Sequence, residues 1–172
     1  MDNRYRCRSI ASLKAEMNNF PIQCKSEFPL EIKTYDIDIA GHVNNIAYIR
    51  WLEDMRTALF NNYFNLQELI ASKIYPIVLS TECKYRKYLV LFDTPVGSIC
   101  IESCIHGIFT LKANIKNKGK TIALGKQQCA LFDLDELEIV KGLRLQEVLQ
   151  DHHRTAASAS NELQSKHSYT EK

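Results

Sequence analysis

Hydrophobic positions along the chain follow two spacings, one of two residues and one of three to four. From Glu27 to Lys33, Phe28, Leu30 and Ile32 alternate with Glu27, Pro29, Glu31 and Lys33, which predicts a half-buried strand with a proline suited to an edge. Tyr48, Leu52, Met55, Leu59 and Tyr63 then recur at helical spacing, with Arg50, Asp54, Thr57 and Asn61 in the same rhythm on the other side. Trp51 and Ala58 widen the apolar face, so this long helix is expected to lie embedded against a sheet. Asn65-Leu66-Gln67-Glu68 has the form of a capping box and predicts a short second helix to about Ser72, which Pro76 cannot continue. From Leu79 onward, Thr81, Cys83 and Tyr85 alternate with Ser80, Glu82, Lys84 and Arg86, the pattern of a strand with one wet face. A loop through Asp93, Thr94 and Pro95 leads to a third strand with Ile99, Ile101 and Ile105 inward. A fourth carries Phe109, Leu111, Ala113 and Ile115. Asn117-Lys118-Gly119-Lys120 reads as a hairpin turn into a fifth strand, from Thr121 to about Phe132, in which Gly125 marks a bulge. A terminal helix is expected over Leu143 to His153, with Leu145, Val148 and Leu149 on one side.

These elements predict an α+β domain in which a curved antiparallel sheet of about five strands wraps one long helix. A single helix covers only part of such a sheet and leaves its edges open, so the chain is expected to form at least a dimer. Residues 1–25 are basic, serine-containing and aperiodic and are expected to be a flexible arm, with a transit peptide as the alternative that Asp2 and Glu16 weigh against; residues 26–154 are expected to be the domain, and residues 155–172, rich in Ala, Ser, Asn, Gln and Lys, a mobile tail.

Composition narrows the functional classes. Of 172 residues, 45% are hydrophobic and 24% charged, the balance of one soluble domain, and no apolar run is long enough to span a bilayer. A formal charge of +2 argues against nucleic acid as a partner. Six cysteines, at positions 7, 24, 83, 100, 104 and 129, form no CxxC pair and follow no secretory segment, which predicts a reduced, cytoplasmic protein in which they are small core residues and bind no metal.

The candidate chemistry lies between Tyr35 and Tyr48. Asp36 and Asp38 follow an extended segment, and in a strand their side chains would point the same way. Gly41 permits a tight turn. Asn44 is suited to cap the long helix, leaving the next amides unpaired at the positive end of the helix dipole. A carboxylate beside a preformed oxyanion site is what acyl transfer to water requires.

Asp36-x-Asp38-x-x-Gly41-His42-Val43-Asn44-Asn45-x-x-Tyr48, followed by Glu53 and Arg56, resembles the motif of hot-dog-fold thioesterases of the 4-hydroxybenzoyl-CoA thioesterase family. The likeness extends from about Glu27 to Phe132. It implies hydrolysis of a small-molecule acyl-CoA thioester to the free acid and coenzyme A, with no cofactor beyond the coenzyme A of the substrate, by a homodimer or homotetramer. It makes Asp38 the catalytic carboxylate, as general base or nucleophile, and the Asn45 amide the oxyanion donor. His42 is either an acid–base group or a residue that fixes the loop. Gly41, Val43, Asn44, Tyr48 and Arg86 are expected to contact substrate, Arg86 with Lys84 and Lys87 at the coenzyme A phosphates. The stretch is also similar to plant acyl-carrier-protein thioesterases, whose spacing Asp38 and His42 fit, although Ala40 stands where they carry asparagine. A further departure is Tyr88, where relatives often have proline. Two other readings compete: an acyl-carrier-protein thioesterase, and a hot-dog module that binds acyl thioesters without turning them over. Simpler roles also stand beside the catalytic ones. Asp38 before Gly41 suits a turn, Asp36 suits holding an amide or a basic side chain, and Glu53 with Arg56 suits an ion pair along the helix.

Overall fold

The computed structural model describes residues 26–61 and 64–148, so the expectations for the amino-terminal arm and the carboxy-terminal tail lie outside the described residues. The elements run β1 (Ser26–Pro29), a 3-10 turn (Thr34–Asp36), α1 (Asn45–Asn61), α2 (Leu66–Ala71), β2 (Ile74–Tyr85), β3 (Val96–Ile105), β4 (Ile108–Asn117), β5 (Lys120–Asp133) and β6 (Glu138–Ile139). A last helix, α3, begins at residues 142–148. The strands form one antiparallel sheet in the order β1-β3-β4-β5-β2, with the short β6 added beside β5. The sheet curls around α1, the arrangement called the hot-dog fold. It has six strands where five were expected, because the two-residue β6 carries no legible alternation.

Helix α1 follows its period closely. Tyr48, Leu52, Met55 and Leu59 are buried, while Arg50, Asp54, Thr57 and Asn61 face solvent. Burying side chains of this size contributes roughly 1.5–3 kcal/mol each. The sheet admits the helix closely at two glycines. A Cβ on Gly125 would lie 2.5 Å from Leu52 Cδ2, and one on Gly97 would lie 2.5 Å from Met55 Sδ. Gly125 therefore marks no bulge: it pairs in regular register with Cys83 and Ala113, and it is glycine because the helix needs the space. Gly125→Val is expected to destabilise the fold by about 1–3 kcal/mol through overpacking. A thermal melt unchanged by that substitution would mean that the helix is not seated at this depth.

Three further expectations are corrected. Strand β1 ends at Pro29, short of Lys33, although Leu30 remains buried and Ile32 packs against the core. Strand β2 begins at Ile74 rather than Leu79, with Pro76 inside it and a register shift between Val78 and Ser80; beyond that shift Thr81, Cys83 and Tyr85 take the inward side as their alternation predicts, with Cys83 packed against the core and Tyr85 edge-on to Tyr48, although Thr81 and Tyr85 keep much of their surface exposed in the single protomer. On β3 a register shift between Ile101 and Ser103 reverses the alternation, so Cys104 turns inward and Ile105 is exposed. The predicted hairpin holds: Lys118 and Gly119 both have positive φ, at 50° and 75°, as a two-residue turn between twisted strands requires.

The short helix α2 is capped as its sequence suggests, the Asn65 side chain accepting the Glu68 amide at 3.3 Å. On α3, Leu145 is buried and Val148 half-buried. Asp133 ties this end down: it accepts the amides of Asp135 and Glu136 at 2.8 and 3.0 Å and pairs with Arg144. Cys104 and Cys129 are buried, and burial pushes both thiols up to about 11, so they act as apolar filling. Cys83 and Cys100 are only partly buried.

Candidate active site

The loop between the 3-10 turn and α1 is closed by its own backbone. The Asp38 amide donates to the His42 carbonyl at 2.8 Å, and the Gly41 amide to the Asp38 carbonyl at 3.0 Å. Gly41 sits at φ +78°, and no atom lies within 4 Å of where a Cβ would be, so glycine is needed there for its conformation rather than for space. Val43 anchors the far side: it is buried, bridges to Ile37, and donates its amide to the Leu89 carbonyl at 2.9 Å.

The two aspartates do not share a face, contrary to the strand-based expectation. The backbone turns through a 3-10 helix at Asp36 and buries that side chain, whereas Asp38 is exposed. Asp36 accepts the Lys33 amide at 2.9 Å, pairs with Arg50 of α1, and accepts the Asn44 amide on its carbonyl at 2.8 Å. It thus bolts the start of the loop to its end and to the helix, the structural role its neighbours suggested. A hollow of about 370 Å³ beside this pair is lined by Leu30, Trp51 and Met55 and includes neither Asp38 nor His42.

Asp38 is held differently. Its Oδ1 accepts the amides of Ala40 at 2.8 Å and His42 at 3.1 Å. Its Oδ2 has no hydrogen-bond partner among the described residues. One oxygen therefore forms the turn and fixes the carboxylate, and the other is presented outward. The simple reading and the catalytic one are compatible in a single side chain.

Four residues past Gly41 the chain enters α1. Asn44 caps it as expected, its Oδ1 accepting the Ala47 amide at 3.0 Å. The amides of Asn45 and Ile46 are left without an acceptor among the described residues, which is the open, positive end of a 17-residue helix. Loop and helix start thus bring together Asp38, Gly41, His42, Val43, Asn44 and Asn45.

The remaining candidates sit apart. Tyr48 points into the core, edge-on to Trp51 and Tyr85, and burial pushes its phenol up to about 12. Arg86 is exposed just past the end of β2, its amide bonded to the Ile122 carbonyl at 2.7 Å. Glu53 pairs with Arg56 along the helix, and Arg56 is buried. Beyond Arg86 lies a contact that no periodicity discloses: the ring of Tyr88 stacks on the imidazole of His42, with centroids 4.3 Å apart and planes 20° from parallel. Among the described residues no group of three or more His, Cys, Asp or Glu gathers as metal ligands would.

The chain belongs to the thioesterase-like superfamily, whose profile matches residues 32–153. Long-chain acyl-CoA thioesterase FadM of Escherichia coli (strain K12) is 31% identical to it over 64 residues, 37% of this chain and 48% of FadM, so the chain spans about half the length of that curated relative. Among solved structures, a DHNA-CoA thioesterase from Staphylococcus aureus superposes with a TM-score of 0.66 at 19% identity, over 83% of this chain and 94% of that one. A thioesterase from Thermus thermophilus, complexed with coenzyme A and zinc, gives 0.60 at 16% identity, over 72% and 95%. The structural likenesses establish the fold.

Proposed function

We propose that the protein is an acyl-CoA thioesterase, hydrolysing an acyl-CoA to the free acid and coenzyme A. The observation that carries this reading is the Asp38 carboxylate, pinned through Oδ1 by two loop amides with Oδ2 turned outward, on the loop that leads into the unpaired amides of Asn45 and Ile46. The family match and the likeness to FadM support it.

In this mechanism the thioester carbonyl oxygen lies at the helix start, where the Asn45 amide donates to it as negative charge develops. Asp38 Oδ2 takes a proton from water as the water oxygen bonds to the carbonyl carbon. The C–S bond then breaks, the acid departs, and the coenzyme A sulfur receives the proton. In the covalent variant Oδ2 itself bonds to the carbonyl carbon and expels the thiolate, and water then cleaves the mixed anhydride. Single turnover in heavy-oxygen water separates the two, since only the covalent route leaves label in Asp38. Both routes draw carboxylate and oxyanion donor from the chain, and no bound cofactor or metal is invoked. Gly41, Val43 and Asn44 shape the loop at the carbonyl, and Arg86 with Lys87 meets the phosphates of coenzyme A.

The working unit is proposed to be a homodimer, alone or paired into a homotetramer, with the substrate between protomers. Strand β2 is 12 residues long and, among the described residues, hydrogen-bonds along one side only, to β5. It exposes Tyr75, Val78, Leu79 and Tyr85, and Ile46 and Ile49 are exposed on the first turns of α1. An open edge with that much apolar surface is satisfied by a second copy. A cytoplasmic location is part of the same proposal. No described helix is long and apolar enough to cross a membrane.

The test is thiol release from a panel of aliphatic and aromatic acyl-CoA and acyl-carrier-protein thioesters by one preparation. Turnover of acyl-CoA is expected. Turnover restricted to carrier-protein thioesters would move the protein to the related class, and tight binding of every thioester with no release would make it a binding module.

A further inference from the structure

We propose that Tyr88 is a positioning residue, whose ring holds the imidazole of His42 in one orientation against the loop that carries Asp38. The proposal rests on the thioesterase reading for its catalytic consequence, but not for the contact itself.

The imidazole has little else to orient it. Neither ring nitrogen of His42 has a hydrogen bond among the described residues, and the Tyr88 ring, stacked at 4.3 Å, is its recorded ring contact. The terminal torsion of a histidine is broad, so a ring without a hydrogen bond samples many orientations unless a neighbouring surface restricts it. The near-parallel stack supplies that surface.

Tyr88 is fixed from both sides. Before it, the amides of Arg86 and Lys87 both donate to the Ile122 carbonyl, at 2.7 and 3.2 Å. After it, Leu89 is fully buried and its carbonyl accepts the Val43 amide. The Val90 amide then donates to Asp93 at 3.0 Å, and this bond, helped by Asn117 and Lys118, holds the Asp93 carboxyl below its ordinary range. The tie between Leu89 and Val43 matters most, because each is the chain neighbour of one stacked ring. Tyr88 itself is 68% exposed, so its ring is not there to fill the core.

What His42 does reaches Asp38 directly. The His42 amide donates to Asp38 Oδ1 and its carbonyl accepts the Asp38 amide, so a shift of this residue shifts the catalytic carboxylate. Tyr88 acts on turnover through that chain of contacts, without touching the reacting atoms.

The experiment combines the His42 ring protons, read by NMR in the free protein, with steady-state acyl-CoA hydrolysis. In Tyr88→Ala the ring-current shift of the His42 protons is expected to vanish, and kcat to fall about 10- to 100-fold with KM nearly unchanged, the scale of a misplaced catalytic group. Tyr88→Phe, which keeps the ring, restores both. In a His42→Ala background, Tyr88→Ala should change kcat no further. Independent, multiplying effects of the two substitutions would overturn the proposal, as would a His42 spectrum identical in wild type and Tyr88→Ala. An inactive wild type that still shows the ring-current shift and its loss would overturn the thioesterase reading alone, leaving the positioning contact supported.

Discussion

Asp38→Asn is expected to lower kcat by about 10²–10⁴-fold, the range that a positioned general base contributes. Asparagine retains an oxygen at Oδ1 to accept the amides of Ala40 and His42, so the loop keeps its shape. What disappears is the charge at Oδ2 that must take a proton or attack. Because that interaction is made in the transition state, KM should stay within a few-fold. Asp36→Asn is the matched control. It can still accept the Lys33 amide but loses its charge toward Arg50, at a buried position that ties the loop to α1. Its cost should fall mainly on stability, about 1–3 kcal/mol, with a smaller loss of turnover. Steady-state kinetics and thermal melts of both variants check this, and equal, small effects at the two positions would remove Asp38 as the catalyst.

Val78→Glu combined with Leu79→Glu is expected to turn the protein into a monomer and to reduce turnover by roughly 10²-fold or more, because a substrate seated between protomers loses the surface that the second copy supplies to position it. Both residues are exposed near the register shift of the open β2 edge. Across a two-fold interface each new carboxylate would approach its own copy, and the repulsion would add to the lost apolar area. Sedimentation and activity measured at the same concentrations decide the matter. A compact wild-type monomer with full activity would sink the shared-site proposal.

The parts of this molecule that were legible in its sequence are those in which one short-range rule dominates. Helix α1 announces itself because Tyr48, Leu52, Met55 and Leu59 keep one face apolar for about three turns, and Asn44 marks its start. The β4–β5 hairpin is visible because Lys118-Gly119 supplies the positive φ that its turn needs. Misreadings arose where a non-local contact or a local hydrogen bond overrode the pattern. The pairing of Asp36 and Asp38 on one face failed because Asp36 turns back to its own Lys33 amide and buries itself on Arg50. Ile105 lost its inward position to an irregularity after Ile101. Gly125 resembles a bulge in sequence, but its cause is Leu52, which lies on another element. The His42–Tyr88 stack joins the loop before α1 to the segment that follows β2, and nothing in either segment alone implies it.

The most direct test of the account is a single-turnover reaction with enzyme in excess over acyl-CoA, following thiol release in wild type and Asp38→Asn beside a calorimetric measurement of acyl-CoA binding to each. The account predicts binding that differs by no more than a few-fold and thiol release at least about 10²-fold slower in the variant. Release at the same rate by both proteins, with binding intact, would contradict it.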